Sequence, residues 1–129
     1  MKKNISKGNE VRKTVMVVDD HRYSLLALTR MLEQAGYEVI SAENGHEAIK
    51  IVQTGKFPDL VFMDIKMPVL DGYATMKEIR KLKPGIKVIA ETAYGLEGDK
   101  NLIIKAGFDG YLPKPITTQS LEEILKIFL

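Results

Sequence analysis

Short runs of consecutive apolar residues alternate along this chain with longer stretches in which apolar positions recur every three or four residues. The first pattern predicts buried strands and the second amphipathic helices. Val15–Val18 is the first run, four apolar residues of which three are β-branched. Arg22–Ala35 follows as a helix, with Leu25, Leu28, Met31, Leu32 and Ala35 on one stripe and Gly36 as its stop. Tyr37–Ser41 predicts a second strand. Asn44 with Glu47 three residues on predicts a capped helix start, with Ala48, Ile49 and Val52 inward and Gly55 at the end. Leu60–Met63 is the third strand, and its unbroken apolar character places it centrally. Asp71 caps a helix to about Leu82, with Ala74, Met76 and Ile79 inward. Pro84-Gly85 turns the chain into a fourth strand, Ile86–Ala90. A loop of Tyr94, Gly95, Leu96, Glu97 and Gly98 leads to a helix ending near Ala106. Gly110–Pro113 is the fifth strand, and Thr118–Phe128 the last helix, with Leu121, Ile124, Leu125 and Phe128 facing the sheet.

Five strand–helix units on short connections predict an α/β domain, a doubly wound parallel sheet with helices on both faces. Such sheets bind ligands beyond the carboxyl ends of their strands, at the switch point between the first and third. The residues ending those two strands are Asp19, Asp20 and Asp64. Three carboxylates at one edge repel one another, and a bound divalent cation relieves that repulsion. Thr92 follows the fourth strand and Lys114 the fifth. Three acids, a hydroxyl and an ammonium suit phosphoryl transfer to a carboxylate: the cation and the lysine neutralise phosphate oxygens, and the hydroxyl donates a hydrogen bond.

Composition narrows the setting. The 129 residues are 45% hydrophobic and 28% charged, as expected of one globular domain. There is no cysteine, which excludes disulfides and thiolate metal sites. No apolar stretch approaches the ~20 residues that span a bilayer, and the N-terminus lacks a signal-peptide core. The expectation is a cytoplasmic domain without membrane contact. The net charge of +2 is uneven: residues 1–13 carry a net +4 and the rest about −2. Residues 1–13 are expected to be a disordered leader or linker and 14–129 the folded domain. A basic arm for nucleic acid is the alternative, but no second basic stripe, aromatic platform or helix-turn-helix unit accompanies it.

The motifs Val-Val-Asp19-Asp20, Phe-Met-Asp64-Ile-Lys-Met-Pro68 with Asp71-Gly72, Thr92-Ala93 and Lys114-Pro115 together resemble the receiver domain of two-component response regulators, from about Thr14 to Leu129. The resemblance implies a flavodoxin-like sheet in the order 2-1-3-4-5 and Asp64 as phosphoacceptor. It implies Mg²⁺ (or Mn²⁺) on Asp20, Asp64 and the backbone carbonyl of Lys66, with Asp19 acting through water. Thr92 and Lys114 would hold the phosphoryl group, the Lys114–Pro115 bond would be cis, and Tyr111 would switch with Thr92. A histidine kinase or histidine phosphotransfer protein would be the donor. A downstream partner would read the face of the fourth helix, fifth strand and fifth helix. The domain would not be an enzyme beyond its own phosphotransfer and slow self-dephosphorylation, which Lys66 and Tyr94 would hinder by bulk. The wording around Asp64 and Thr92 is similar to receivers of hybrid sensor histidine kinases. There a glutamine often precedes the threonine, and here Glu91 adds an acid bearing on phosphate affinity and lifetime. The leader and the end just after the last helix suit a domain excised from such a parent.

Blander readings stand beside these. Asp19 and Asp20 read alternatively as helix caps, Thr92 as a strand residue and Lys114 as a solvated side chain. His21 reads as a solvent-facing helix-start residue rather than a metal ligand, and His46 as surface. Met63, Met67 and Met76 read as core. No Ser/His/Asp triad or P-loop is present. The rival functions are a phosphorylation-independent protein-interaction module on the same fold and a small hydrolase with Asp64 as nucleophile.

Overall fold

Four consecutive apolar side chains are hidden only when a strand is covered on both faces. Thr14–Val18 (β1) meets that condition, with Val15 through Val18 fully buried. The computed structural model describes residues 12–93 and 97–129. Residues 1–11 of the expected leader, together with Tyr94, Gly95 and Leu96, lie outside the described residues. After β1 come Arg22–Gln34 (α1), Glu38–Ala42 (β2), Gly45–Gln53 (α2), Leu60–Asp64 (β3), Gly72–Leu82 (α3), Val88–Thr92 (β4), Glu97–Ala106 (α4), Gly110–Pro113 (β5) and Thr118–Phe128 (α5).

The strands form one parallel sheet in the order β2-β1-β3-β4-β5, the doubly wound arrangement expected. Its register sets Val18 beside Met63, Asp64 beside Glu91 and Thr92 beside Pro113. Alternate side chains feed two cores. Met16, Val18, Met63 and Ala90 join Ala48, Met76, Ile79 and Ile103 from α2, α3 and α4. Val15, Val17, Phe62 and Ile89 join Leu28, Leu32, Leu121 and Leu125 from α1 and α5. Each large apolar side chain so buried contributes about 1.5–3 kcal/mol. Met63, Met67 and Met76 are all buried.

Several boundaries differ from the apolar pattern. β4 runs two residues later than Ile86–Ala90, because the Ile86 N–H closes the preceding turn on the Lys83 carbonyl and ladder bonds do not discriminate against polar side chains. β3 takes in Asp64 for the same reason. β2 is displaced by one residue, which buries Ala42 opposite Val18. Ala35 is exposed, since it caps α1 and is no longer on its inner stripe. Glu97 and Gly98 fall within the first turn of α4 rather than in the loop.

Caps fix where the helices start. The Asn44 side chain accepts from the Glu47 N–H at 2.8 Å and Asp71 from the Ala74 N–H at 2.9 Å. Away from the carboxyl edge, the Asp109 carboxylate accepts from the Val88 N–H at 2.8 Å and pairs with Arg80, which also donates to the Gly107 carbonyl. That clamp joins α3, β4 and the entry to β5.

Candidate functional site

β1 and β3 end side by side, so their terminal acids meet. Asp19 is wholly buried just past β1, where its N–H donates to the Ala42 carbonyl at 3.1 Å. Asp64, the last residue of β3, is 4% exposed. Asp20 is half-buried beside them. Neither Asp19 nor Asp20 caps α1. That place belongs to His21, whose N–H donates to Asp19 Oδ1 at 2.9 Å.

The opposite wall comes from β4 and β5. Thr92 is buried at the end of β4, and its carbonyl accepts from the Lys114 N–H at 2.7 Å. The Lys114–Pro115 peptide is cis. The Lys114 ammonium lies 3.2 Å from Asp19 Oδ2 and 3.6 Å from Asp64 Oδ2. Asp64 Oδ1 accepts from the Lys66 N–H at 3.2 Å. The structure thus brings Asp19, Asp20, Asp64, Thr92 and Lys114 to one rim. Tyr111 stands apart on β5, half-buried against the α2–α4 core, with Lys100 Nζ 5.0 Å from its ring centre.

α3 enters this wall closely. A Cβ on Gly72 would lie 2.4 Å from the Asp64 carbonyl oxygen and 2.6 Å from Ile65 Cα, so only glycine fits. The Gly72 N–H donates to the Ile65 carbonyl at 3.1 Å. Asp71, Tyr73 and Leu102 help line a cleft of about 670 Å³ that opens onto Asp64, Thr92 and Lys114.

The charges are strained. Burial raises the Asp64 carboxyl to about 6; Lys114 works against the rise and Asp19 adds to it. Glu91, on the other face of β4 from Thr92, is 0% exposed, and neither of its oxygens has a hydrogen-bond partner among the described residues. Burial first, then Asp19 and Asp64, push it up to about 8 against the pull of Lys114. A neutral carboxyl is the form that such a site tolerates. Burial acts to lower Lys114, but Asp19, Asp64 and Glu91 outweigh it and leave the ammonium more firmly protonated.

These residues fit a hard cation. Asp20 Oδ1 and Asp64 Oδ2 are buried without hydrogen-bond partners among the described residues, as expected of oxygens awaiting a ligand. One atom each from Asp19, Asp20, His21 and Asp64 lies within 4.8 Å of the others. His21 is exposed, as the sequence suggests, yet its Nδ1 is 3.3 Å from Asp20 Oδ1. His21 follows the acidic pair directly in the sequence, which is the signal for that proximity, whereas the apolar pattern carries none for the burial of Glu91. His46 is exposed on α2.

The model of the response regulator receiver domain matches residues 15–126, and the chain belongs to that family. It is 36% identical over 119 residues to the alkaline phosphatase synthesis transcriptional regulatory protein PhoP of Bacillus subtilis, covering 92% of this chain and 49% of that one. It is 34% identical over 120 residues to the polar-differentiation response regulator DivK of Brucella anthropi, covering 91% and 96%. The match to the sensor histidine kinase GacS of Pseudomonas protegens is 34% over 116 residues, covering 86% and 12%. The chain therefore spans about half of PhoP, a small part of GacS and nearly all of DivK. Chemotaxis protein CheY4 of Vibrio cholerae superposes with a TM-score of 0.84 at 28% identity, covering 92% and 100%. The receiver domain of sensor histidine kinase PA1611 of Pseudomonas aeruginosa, solved with magnesium in its active-site cleft, gives 0.82 at 31%, covering 92% and 98%. A receiver domain is a signalling module of two-component systems rather than a metabolic enzyme, and it works with histidine kinases or phosphotransfer proteins. No helix among the described residues is long and apolar enough to cross a membrane.

Proposed function

We propose that this domain is a phospho-aspartate switch in which Asp64 accepts a phosphoryl group from a phosphohistidine. The observation that carries the reading is the juxtaposition of the buried Asp64 carboxylate with two further aspartates on one side and the Lys114 ammonium on the other. A carboxylate oxygen of Asp64 attacks phosphorus. The O–P bond forms as the P–N bond of the donor breaks, and its electron pair leaves with the imidazole. Lys114 sits where it meets the added charge, and Thr92, next to it through the backbone, supplies a hydroxyl to the new phosphoryl oxygens.

Asp20, Asp64 and the Lys66 carbonyl would hold Mg²⁺ (or Mn²⁺), with Asp19 behind them. Bound there, the ion supplies charge neutralisation of the phosphoryl oxygens. The extra negative charge on Asp64 draws Thr92 and Lys114 inward, and Tyr111 on the adjacent strand follows. This biases a pre-existing equilibrium at the α4–β5–α5 face, where a downstream partner reads it. The partner that supplies the phosphoryl group is a histidine kinase or histidine phosphotransfer protein, and the setting is cytoplasmic. A relation to hybrid sensor kinases is supported by the GacS and PA1611 matches. Asp64→Asn is expected to abolish incorporation of hydroxylamine-labile phosphate from a small phosphodonor. Undiminished incorporation would rule out Asp64 as the acceptor.

A further inference from the structure

We infer that His21 is a nitrogen ligand of the cation held by Asp20 and Asp64, and that it turns this site toward borderline transition ions such as Zn²⁺. The inference rests on the metal-binding reading given above. It concerns a residue for which the sequence reading prefers a surface position over a ligand role.

Three distances carry it. His21 Nδ1 lies 3.3 Å from Asp20 Oδ1, 3.5 Å from Asp19 Oδ1 and 3.9 Å from Asp64 Oδ2. Metal–ligand bonds of about 2.0–2.2 Å place neighbouring ligand atoms of a tetrahedral or octahedral shell roughly 3–3.5 Å apart. The separations from Asp20 and Asp19 fall in that range, and the one from Asp64 lies just beyond it. Two of those oxygens, Asp20 Oδ1 and Asp64 Oδ2, are buried and lack hydrogen-bond partners among the described residues. Asp64 is more than nine-tenths buried, and its Oδ2, without a hydrogen bond among the described residues and with the Lys114 ammonium at 3.6 Å, is an observation independent of the clustering of acids.

The backbone holds the ring in place. His21 is the N-cap of α1 in an extended conformation, and its side chain makes no capping bond. Its N–H is held instead by Asp19 Oδ1, which turns the chain so that the ring stands over the cleft. The ring is otherwise exposed, leaving its second nitrogen to water. Carboxylates suit Mg²⁺, Ca²⁺ and Mn²⁺, whereas imidazole suits Zn²⁺, Ni²⁺ and Cu²⁺. Adding one imidazole to the two carboxylates thus gains more for Zn²⁺ than for Mg²⁺. Because the shell includes Asp64 Oδ2, a transition ion and Mg²⁺ compete for the same carboxylate.

The test is calorimetric titration of the chain with ZnCl₂ and with MgCl₂, at a pH of about 7.5 where an ordinary imidazole is mostly neutral, for the natural protein, His21→Ala and Asp64→Asn. Ring-proton spectra of His21 and His46, the chain's two histidines, are followed during the Zn²⁺ titration. The ratio of Zn²⁺ to Mg²⁺ affinity is expected to fall about tenfold or more in His21→Ala. The His21 ring signals should move saturably while those of His46 do not. An unchanged ratio, or a response of His46 alone, overturns the role of His21. If Mg²⁺ binding is nonetheless present and lost in Asp64→Asn, the metal-binding reading survives that failure. Absence of both Mg²⁺ and Zn²⁺ binding to the natural protein would remove both.

Discussion

The backbone N–H of Lys114 is bonded to the Thr92 carbonyl at 2.7 Å, while the ammonium of the same lysine lies 3.2 Å from Asp19. One residue therefore ties the end of β4 to the acids at the end of β1. The hydroxyl and the cation on this side of the cleft are placed by backbone bonding, and the acids by two adjacent strand ends.

Removing that cation should expose the repulsion it balances. In Lys114→Met the buried Asp19 loses its ion pair, and the metal-free protein is expected to lose about 3 kcal/mol in urea denaturation near pH 8. The Asp64 carboxyl, which Lys114 holds down, should then titrate above about 6 in carboxyl-carbon NMR. An unmoved Asp64 and unchanged stability would show that the pair contributes nothing.

Stability should also fall with rising pH. Asp64 and Glu91 hold their protons more tightly when folded, at about 6 and about 8, than in the unfolded chain. The folded state therefore binds more protons between those values and the ordinary carboxylate range near 4. The stabilisation is complete below that range and is lost as pH rises through the folded values. Thermal melts of the metal-free protein should show Tm declining from pH 5 to pH 8.5. Glu91→Gln, which cannot ionise, should flatten the upper part of the decline and melt higher than the natural protein at pH 8.5. Equal slopes in both proteins would contradict the burial of an ionisable Glu91.

Much of this arrangement was legible in the sequence because buried parallel strands read as unbroken apolar runs, and the residue that breaks each run marks the sheet's carboxyl edge. Asp19, Asp20, Asp64 and Lys114 all announced themselves in that way. The end of β4 did not, since Glu91 and Thr92 are polar and remain in the ladder through backbone bonds that hydropathy does not register. Glu91 reads as one more rim acid, and only the alternation of the strand turns it into the core. The place of His21 depends on its backbone N–H donating to the Asp19 carboxylate, a local bond without a periodic signature.

Gly72 provides a steric test of how α3 supports the phosphoacceptor. A methyl group there would meet the main chain of Asp64 and Ile65, and neither can rotate away. Gly72→Ala is expected to cost about 2–3 kcal/mol and to reduce phosphoryl uptake by shifting Asp64. Denaturation together with labelling under folded conditions would check both. Full stability with full labelling would mean that α3 can recede freely.

Magnesium should act as a ligand of the folded state. At a free concentration 100-fold above its Kd it is expected to add about 2.7 kcal/mol, and a chelator should reverse the gain. By offsetting the charge on Asp64, the ion should also shrink the loss of stability between pH 4 and pH 6. Asp64→Asn should gain little from Mg²⁺, while an equal gain in the variant would place the ion elsewhere.

The most direct measurement is to treat the protein with a small phosphodonor, reduce it with borohydride and locate the product by peptide mass spectrometry. Reduction converts an aspartyl phosphate into homoserine. Homoserine at position 64, formed with Mg²⁺ and absent when a chelator replaces it, is the predicted result. Homoserine at another aspartate, or none after full exposure to donor and Mg²⁺, would contradict the account.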